Sequence, residues 1–181
     1  GDATIRPTAE SGYRACGAAS AGKVPEGNVG AGAGATVGKM FGSGYAMPSG
    51  LGTASLRAGK TGIVVAAMVA VNAVGDVRDL QTGKILAGAR DTSKKSFRDT
   101  IAQIRAGYNV VIPGGGATNT TIGIVATNAV LTKDQATKVA QMAHDGLART
   151  INPVHTPYDR DTIFALATAA ASTRVETGAI G

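Results

Sequence analysis

The chain has 181 residues, 44% of them hydrophobic, enough for one ordinary core, so one domain is the starting expectation. Glycine supplies 26 residues, aromatic residues only 4% and tryptophan none, so close backbone approach must replace bulky side chains; the absence of a Gly-X-Y period and a charged fraction of 17% exclude collagen and disorder. The formal charge of +6 is spread over 18 dispersed lysines and arginines, with Lys94-Lys95 the one adjacent pair, and few rings are available to stack on bases, so no nucleic-acid partner is expected.

Cys16 stands alone, which excludes an intramolecular disulfide and fits a reducing compartment; no Cys/His grouping has zinc spacing. The first residues carry neither a basic nor an apolar leader pattern, and no apolar run approaches the roughly 18 residues of a membrane span. A soluble, cytoplasmic protein with no membrane partner is therefore expected.

From Gly12 to Gly59 glycine, alanine and serine dominate, which predicts tight turns and short strands. Thr61 to Asn72 is apolar and β-branched and predicts a buried strand ending at Asn72. Asp76 to Ala87 reads as a hairpin turning at Gln81-Thr82-Gly83-Lys84. Ser93 to Ala106 has Phe97, Ile101 and Ile104 on one helical face. A breaker segment from Pro113 to Asn119 runs directly into Thr120 to Asn128, a second buried strand. Thr132 and Gln135 have the spacing of a capping box, and Ala136, Val139, Ala140, Ala143 and Leu147 then recur at helical spacing up to Arg149. Pro153 ends that helix, His155 to Asp161 form a polar loop, and Thr162 to Thr168 form a third strand, so helices packed on sheets are expected, an α/β fold.

A hydroxyl residue that follows a glycine-rich loop and heads a core strand has the arrangement needed for a chain that cuts itself. The Thr120 hydroxyl would attack the Asn119 carbonyl, giving an ester by N-to-O shift that water then opens. The new α-amine, with an unperturbed pKa of about 7.7 to 8, could act as base for its own hydroxyl. Spacing alone leaves open that Thr120 and Thr121 are ordinary strand residues. Asp159 and Asp161 lie two apart, so in an extended chain both carboxylates project to one face, where they could orient the nucleophile or share a proton; two solvated loop carboxylates are the alternative. Asn72 could donate its amide to an oxyanion or simply end a strand. Lys39 could be catalytic or a surface lysine. His155 could be a base or a metal ligand, but no second histidine is near it in sequence, and both it and His144 read better as structural or surface residues. No metal and no cofactor are expected.

Gly34 to Met40 superficially resembles a phosphate loop. Its glycines are one residue too close, Met40 stands where a magnesium-binding hydroxyl is needed, and no apolar strand precedes it; Gly30-x-Gly32-x-x-Ala35 lacks that strand too. Nucleotide binding is thus a minor alternative.

Asn119-Thr120-Thr121-Ile122-Gly123-Ile124-Val125-Ala126-Thr127-Asn128, then Ala143-His144-Asp145-Gly146-Leu147-Ala148-Arg149 and Pro153-Val154-His155-Thr156, resemble the DmpA family of self-processing N-terminal-nucleophile aminopeptidases, in particular its branch similar to nylon-oligomer hydrolases. The likeness extends to Gly30 to Lys39 and to Val69 to Asp76, covering nearly the whole chain. It implies an αββα sandwich, incomplete here, and one structural domain cut into an α-chain part, 1–119, and a β-chain part, 120–181. It also implies hydrolysis of a small peptide or amide oligomer by Thr120, and a homo-oligomer. Carried over, Thr120 matches the nucleophile, Asp159 and Asp161 the paired aspartates, Asn72 the oxyanion-binding asparagine and Lys39 the active-site lysine. Two departures stand out. Arg160 replaces the glycine usual between the aspartates, and relatives have a segment before this chain's first residue and a final helix after its last, so this piece is not expected to act unaided. A catalytically inactive binding or structural relative of the same fold is the alternative.

Overall fold

A computed structural model describes residues 4–108 and 119–180. The predicted loop from Pro113 lies outside the described residues except for Asn119. In chain order the elements are α1 (Ala9–Gly17), β1 (Thr36–Val37), β2 (Met47–Pro48), β3 (Leu51–Arg57), β4 (Val64–Ala70), β5 (Asp76–Arg78), β6 (Ile85–Ala87), α2 (Thr100–Arg105), β7 (Ile122–Thr127), α3 (Lys133–Thr150), β8 (Ile151–Asn152) and β9 (Thr162–Ala167), with short 3-10 turns between some of them.

The main sheet runs β3-β4-β7-β9. β3, β4 and β7 are antiparallel in turn, whereas β7 and β9 are parallel, in register from Ile122 opposite Thr162 to Thr127 opposite Ala167. The eighteen-residue α3 lies between β7 and β9 in sequence and makes the crossover that a parallel pair needs. Its capping box is as predicted, with the Thr132 hydroxyl accepting from the Gln135 amide and the Gln135 side chain accepting from the Thr132 amide. A smaller sheet, β6-β5-β8, sits beside the C-terminal end of α3.

Two apolar clusters pin α3 to one face of the main sheet. Val139 joins Ile63, Ala129 and Ile180 at one end; Leu147 joins Val37, Ala73 and Ile151 at the other. Each fully buried valine or isoleucine here contributes about 1.5–3 kcal/mol relative to exposure. The opposite face, by alternation along the strands, carries Met68, Ile122, Ile124, Phe164 and Leu166, all exposed. The strands expected to be buried are thus covered on one face among the described residues.

The hairpin at Gln81 to Lys84 forms as predicted, with Gly83 at φ 68° and Asp79 accepting from the Thr82 amide. Three expectations are corrected. The helix predicted over Ser93 to Ala106 shortens to α2, because Asp91 gathers the Ser93 hydroxyl and the amides of Lys95 and Ser96 into a turn, and Asp99 caps the helix start at Ala102. The stretch predicted as turns and short strands contains the second half of α1, which runs Ala9–Gly17, and the seven-residue β3. Pro153 does not end α3, which stops at Thr150 and passes directly into β8.

Candidate active site

Because β7 and β9 are parallel and in register, the residues that precede both strands arrive at the same end of the sheet. β4 runs the other way and finishes there, with Ala70 opposite Ile122. This single arrangement collects Asn72, Asn119 to Thr121 and Asp159 to Asp161. Asn119 and Asp159 form a one-rung parallel bridge beyond the strand ends.

Lys39 reaches the same place from β1. The Gly38 amide donates to the Gly75 carbonyl and the Lys39 amide to the Val74 carbonyl, at 2.9 Å each. Gly38 has φ 72°, and a Cβ there would lie 1.9 Å from the Ala89 nitrogen, so this approach requires glycine. With those two amides engaged, the Gly34 to Met40 stretch does not form a cradle of free amides for phosphate.

The Thr120 amide donates to the Asn72 carbonyl at 2.8 Å, and the Thr120 hydroxyl donates to the Asn119 carbonyl at 2.7 Å. A second donor, the Arg160 amide, reaches that same carbonyl at 3.0 Å. Lys39 Nζ lies 2.6 Å from Asn72 Oδ1 and 3.3 Å from the Asn72 carbonyl, and Asn72 Oδ1 also accepts from the Thr36 amide. These contacts orient the Asn72 side chain with its oxygen toward Lys39. Burial pushes the Lys39 ammonium down to about 8, against the opposing pull of the Asp159 carboxylate.

The two aspartates diverge. Asp159 accepts from the Val74 amide at 3.2 Å, the Thr156 amide at 3.1 Å and the Thr156 hydroxyl at 2.7 Å. Asp161 accepts from the Thr121 amide at 2.9 Å and from His155 Nδ1 at 2.8 Å. Their oxygens are held by separate partners. Arg160 between them is exposed and enters the site through its backbone. An apolar cavity of about 470 Å³ opens on Thr120 and Asn72 between Ala33, Ala35, Met68, Ile124 and Phe164.

The model of peptidase family S58 matches residues 2–179 of the chain. The chain belongs to that family. It is 44% identical over 178 residues to an uncharacterised aminopeptidase of Mycobacterium leprae, covering 94% of this chain and 46% of the relative. It is 32% identical over 148 residues to the 6-aminohexanoate-oligomer endohydrolase of Agromyces sp., covering 81% and 41%. Among solved structures, a Burkholderia sp. beta-aminopeptidase is similar with a TM-score of 0.55 and 28% identity over 90% of this chain and 38% of that one. The L-aminopeptidase D-Ala-esterase/amidase of Ochrobactrum anthropi, described as a variant of the Ntn-hydrolase fold, gives 0.54 and 21% over 82% and 34%. The fold is therefore of the N-terminal-nucleophile-like α/β type, as expected. The chain spans about half the length of the curated S58 relatives it matches.

All five residues singled out for chemistry in this S58 chain, Lys39, Asn72, Thr120, Asp159 and Asp161, sit at one end of the sheet. Sequence reasoning missed the Arg160 amide, Thr156 and the contact between the two histidines. His144 and His155, expected as surface or structural residues, meet with Nδ1 of the former 3.3 Å from Nε2 of the latter. The eleven-residue gap between them hid this; only the turn from α3 through β8 back to the site could have brought it out.

Proposed function

We propose that the chain is the catalytic core of an amide hydrolase that cuts itself between Asn119 and Thr120 and then uses the freed threonine on peptide or amide-oligomer substrates. The observation that carries this is the Asn119 carbonyl, which receives both the Thr120 hydroxyl, at 2.7 Å, and the Arg160 amide, at 3.0 Å. A hydroxyl beside the carbonyl of its own preceding residue is placed for the N-to-O shift, and an amide on the same oxygen stabilises the charge that develops there. Attack forms the Oγ–C bond, the C–N bond breaks to the Thr120 amine, and water opens the ester to leave the Asn119 carboxylate.

In the second phase the Thr120 amine takes the proton from its hydroxyl, which attacks the substrate carbonyl. The leaving amine departs with that proton, and water releases the acyl group. The contact from the Thr120 nitrogen to the Asn72 carbonyl keeps the new terminus in place. Lys39, at about 8, and Asn72, hydrogen-bonded to each other beside Thr120, are assigned the stabilisation of the substrate oxyanion. Asp159 fixes the loop that delivers Arg160, and Asp161 fixes the amide next to Thr120. Arg160 does not favour the inactive alternative, because the residue is exposed and its backbone supplies the needed donor.

Intact mass of the full-length chain tests this. A species beginning at Thr120 is expected, absent from Thr120→Ala and retained in Thr120→Ser. If none appears, or if Thr120→Ala yields the same pieces, the proposal is wrong.

A further inference from the structure

Asp161 meets the segment that Thr120 heads, and its side chain is 2% exposed. One oxygen holds the Thr121 amide, and the Thr121 carbonyl in turn accepts from the Thr162 amide at 2.9 Å, so the carboxylate locks the peptide immediately after Thr120 to the start of β9. Its other oxygen holds His155 Nδ1 at 2.8 Å.

The chemistry of these contacts fixes the hydrogens. An ionised carboxylate accepts only, so His155 Nδ1 carries a proton. With His155 neutral, its Nε2 is bare and accepts, and the His144 nitrogen 3.3 Å away is the donor. Protonating both rings fully would set N–H against N–H across this contact. The two rings, with centroids 4.9 Å apart and half-buried His144 anchored on α3, therefore form a directional chain from His144 through His155 to Asp161 and on to the Thr121 amide.

His155 is also held at φ 50°, in the left-handed region. Histidine, like asparagine, tolerates that conformation, and glycine adopts it freely. We infer that His155 is a positioning residue for the S58 reaction: kept in its Nδ1–H form by His144, it holds Asp161, and through Asp161 the Thr121 amide, so that the Thr120 hydroxyl stays on its target carbonyl. This rests on the self-processing reading above.

The test uses the full-length chain. Asparagine places a donor close to where His155 Nδ1 sits and tolerates the same backbone, whereas glycine suits the backbone and has no donor. His155→Asn is therefore expected to process and turn over within about threefold of wild type. His155→Gly and His144→Phe are expected to be slower by about tenfold or more, in kcat rather than KM, as for a small misplacement of a reacting group. Nuclear magnetic resonance of isotope-labelled histidine in the wild-type protein should show His155 protonated on Nδ1 and bare on Nε2, and this holds whether or not any variant folds. The inference is overturned if His155 carries its proton on Nε2, or if His155→Gly matches wild type. Cleavage before position 120 in Thr120→Ala would instead overturn the self-processing reading and leave the tautomer result standing on its own.

Discussion

Replacing Asp159 separates its structural from its electrostatic part. The carboxylate receives three donors, the amides of Val74 and Thr156 and the Thr156 hydroxyl. In Asp159→Ala the hydroxyl can turn elsewhere, but Val74 is fully buried and its amide would have no water to replace the lost oxygen. At about 1–3 kcal/mol for each stranded amide, the two together should cost about 2–6 kcal/mol. Asp159→Asn keeps an acceptor for Val74 but sets an NH2 against the Thr156 amide, and should cost about half as much. Both variants also remove the negative charge that opposes the burial of Lys39, so its pKa should fall below about 8 and the amine should lose its proton at lower pH. Denaturant unfolding of the full-length chain measures the first effect, and the alkaline limb of the pH–activity profile measures the second. A stability change for Asp159→Ala within about 0.5 kcal/mol of zero, the range of an inconsequential surface change, would refute the clamp. An alkaline limb unmoved in both variants would refute the link to Lys39.

Lys39 itself should leave a signature in stability. Its folded-state pKa, about 8, is below the ordinary 10.5, so between those values the unfolded chain binds more protons and stability should rise with pH. Lys39→Met should flatten that rise; its height, reduced by solvent screening of a half-exposed group, should be no more than about 2 kcal/mol, read from unfolding curves across the window. Gly38→Ala should cost at least about 3 kcal/mol or prevent folding, because a methyl group at φ 72° would strike the Ala89 backbone; soluble yield and melting temperature check it. Thr132→Ala should lower stability by about 1 kcal/mol through loss of the α3 cap, while a product beginning at Thr120 still forms.

Where one local pattern decides the outcome, the sequence was readable. The α3 cap at Thr132 and Gln135, the Gly83 turn and the strands leading from Thr61, Thr120 and Thr162 all follow from short-range signals, and they emerge as expected. The failures are non-local. β3 reads as glycine- and serine-rich loop because its strand character comes from seven pairings with β4. β8 is two residues long and exists only because β5 lies beside it. At the site, the convergence of Asn72, Thr120 and Asp161 requires knowing that β7 and β9 are parallel, which no local pattern encodes; there the family resemblance supplied what spacing could not. Neither reached the contact between His144 and His155, nor the use of the Arg160 backbone in place of its side chain.

The position of β7 between β4 and β9 bears on what a cut before Thr120 would do to refolding. β4 would then belong to one product and β7 and β9 to the other, so the seam between products would run through the middle of the main sheet, six paired residues long. The nick would leave the native ladder intact, and two chains would remain one folded body. Their reassembly after denaturation would be another matter. Before the cut, β4 and β7 find each other at the high effective concentration set by the intervening chain; afterwards the same encounter is bimolecular and depends on dilution. Cleavage would thus convert a chain that refolds at any concentration into a pair whose recovery falls as the protein is diluted, making the mature form long-lived once assembled and hard to rebuild once lost.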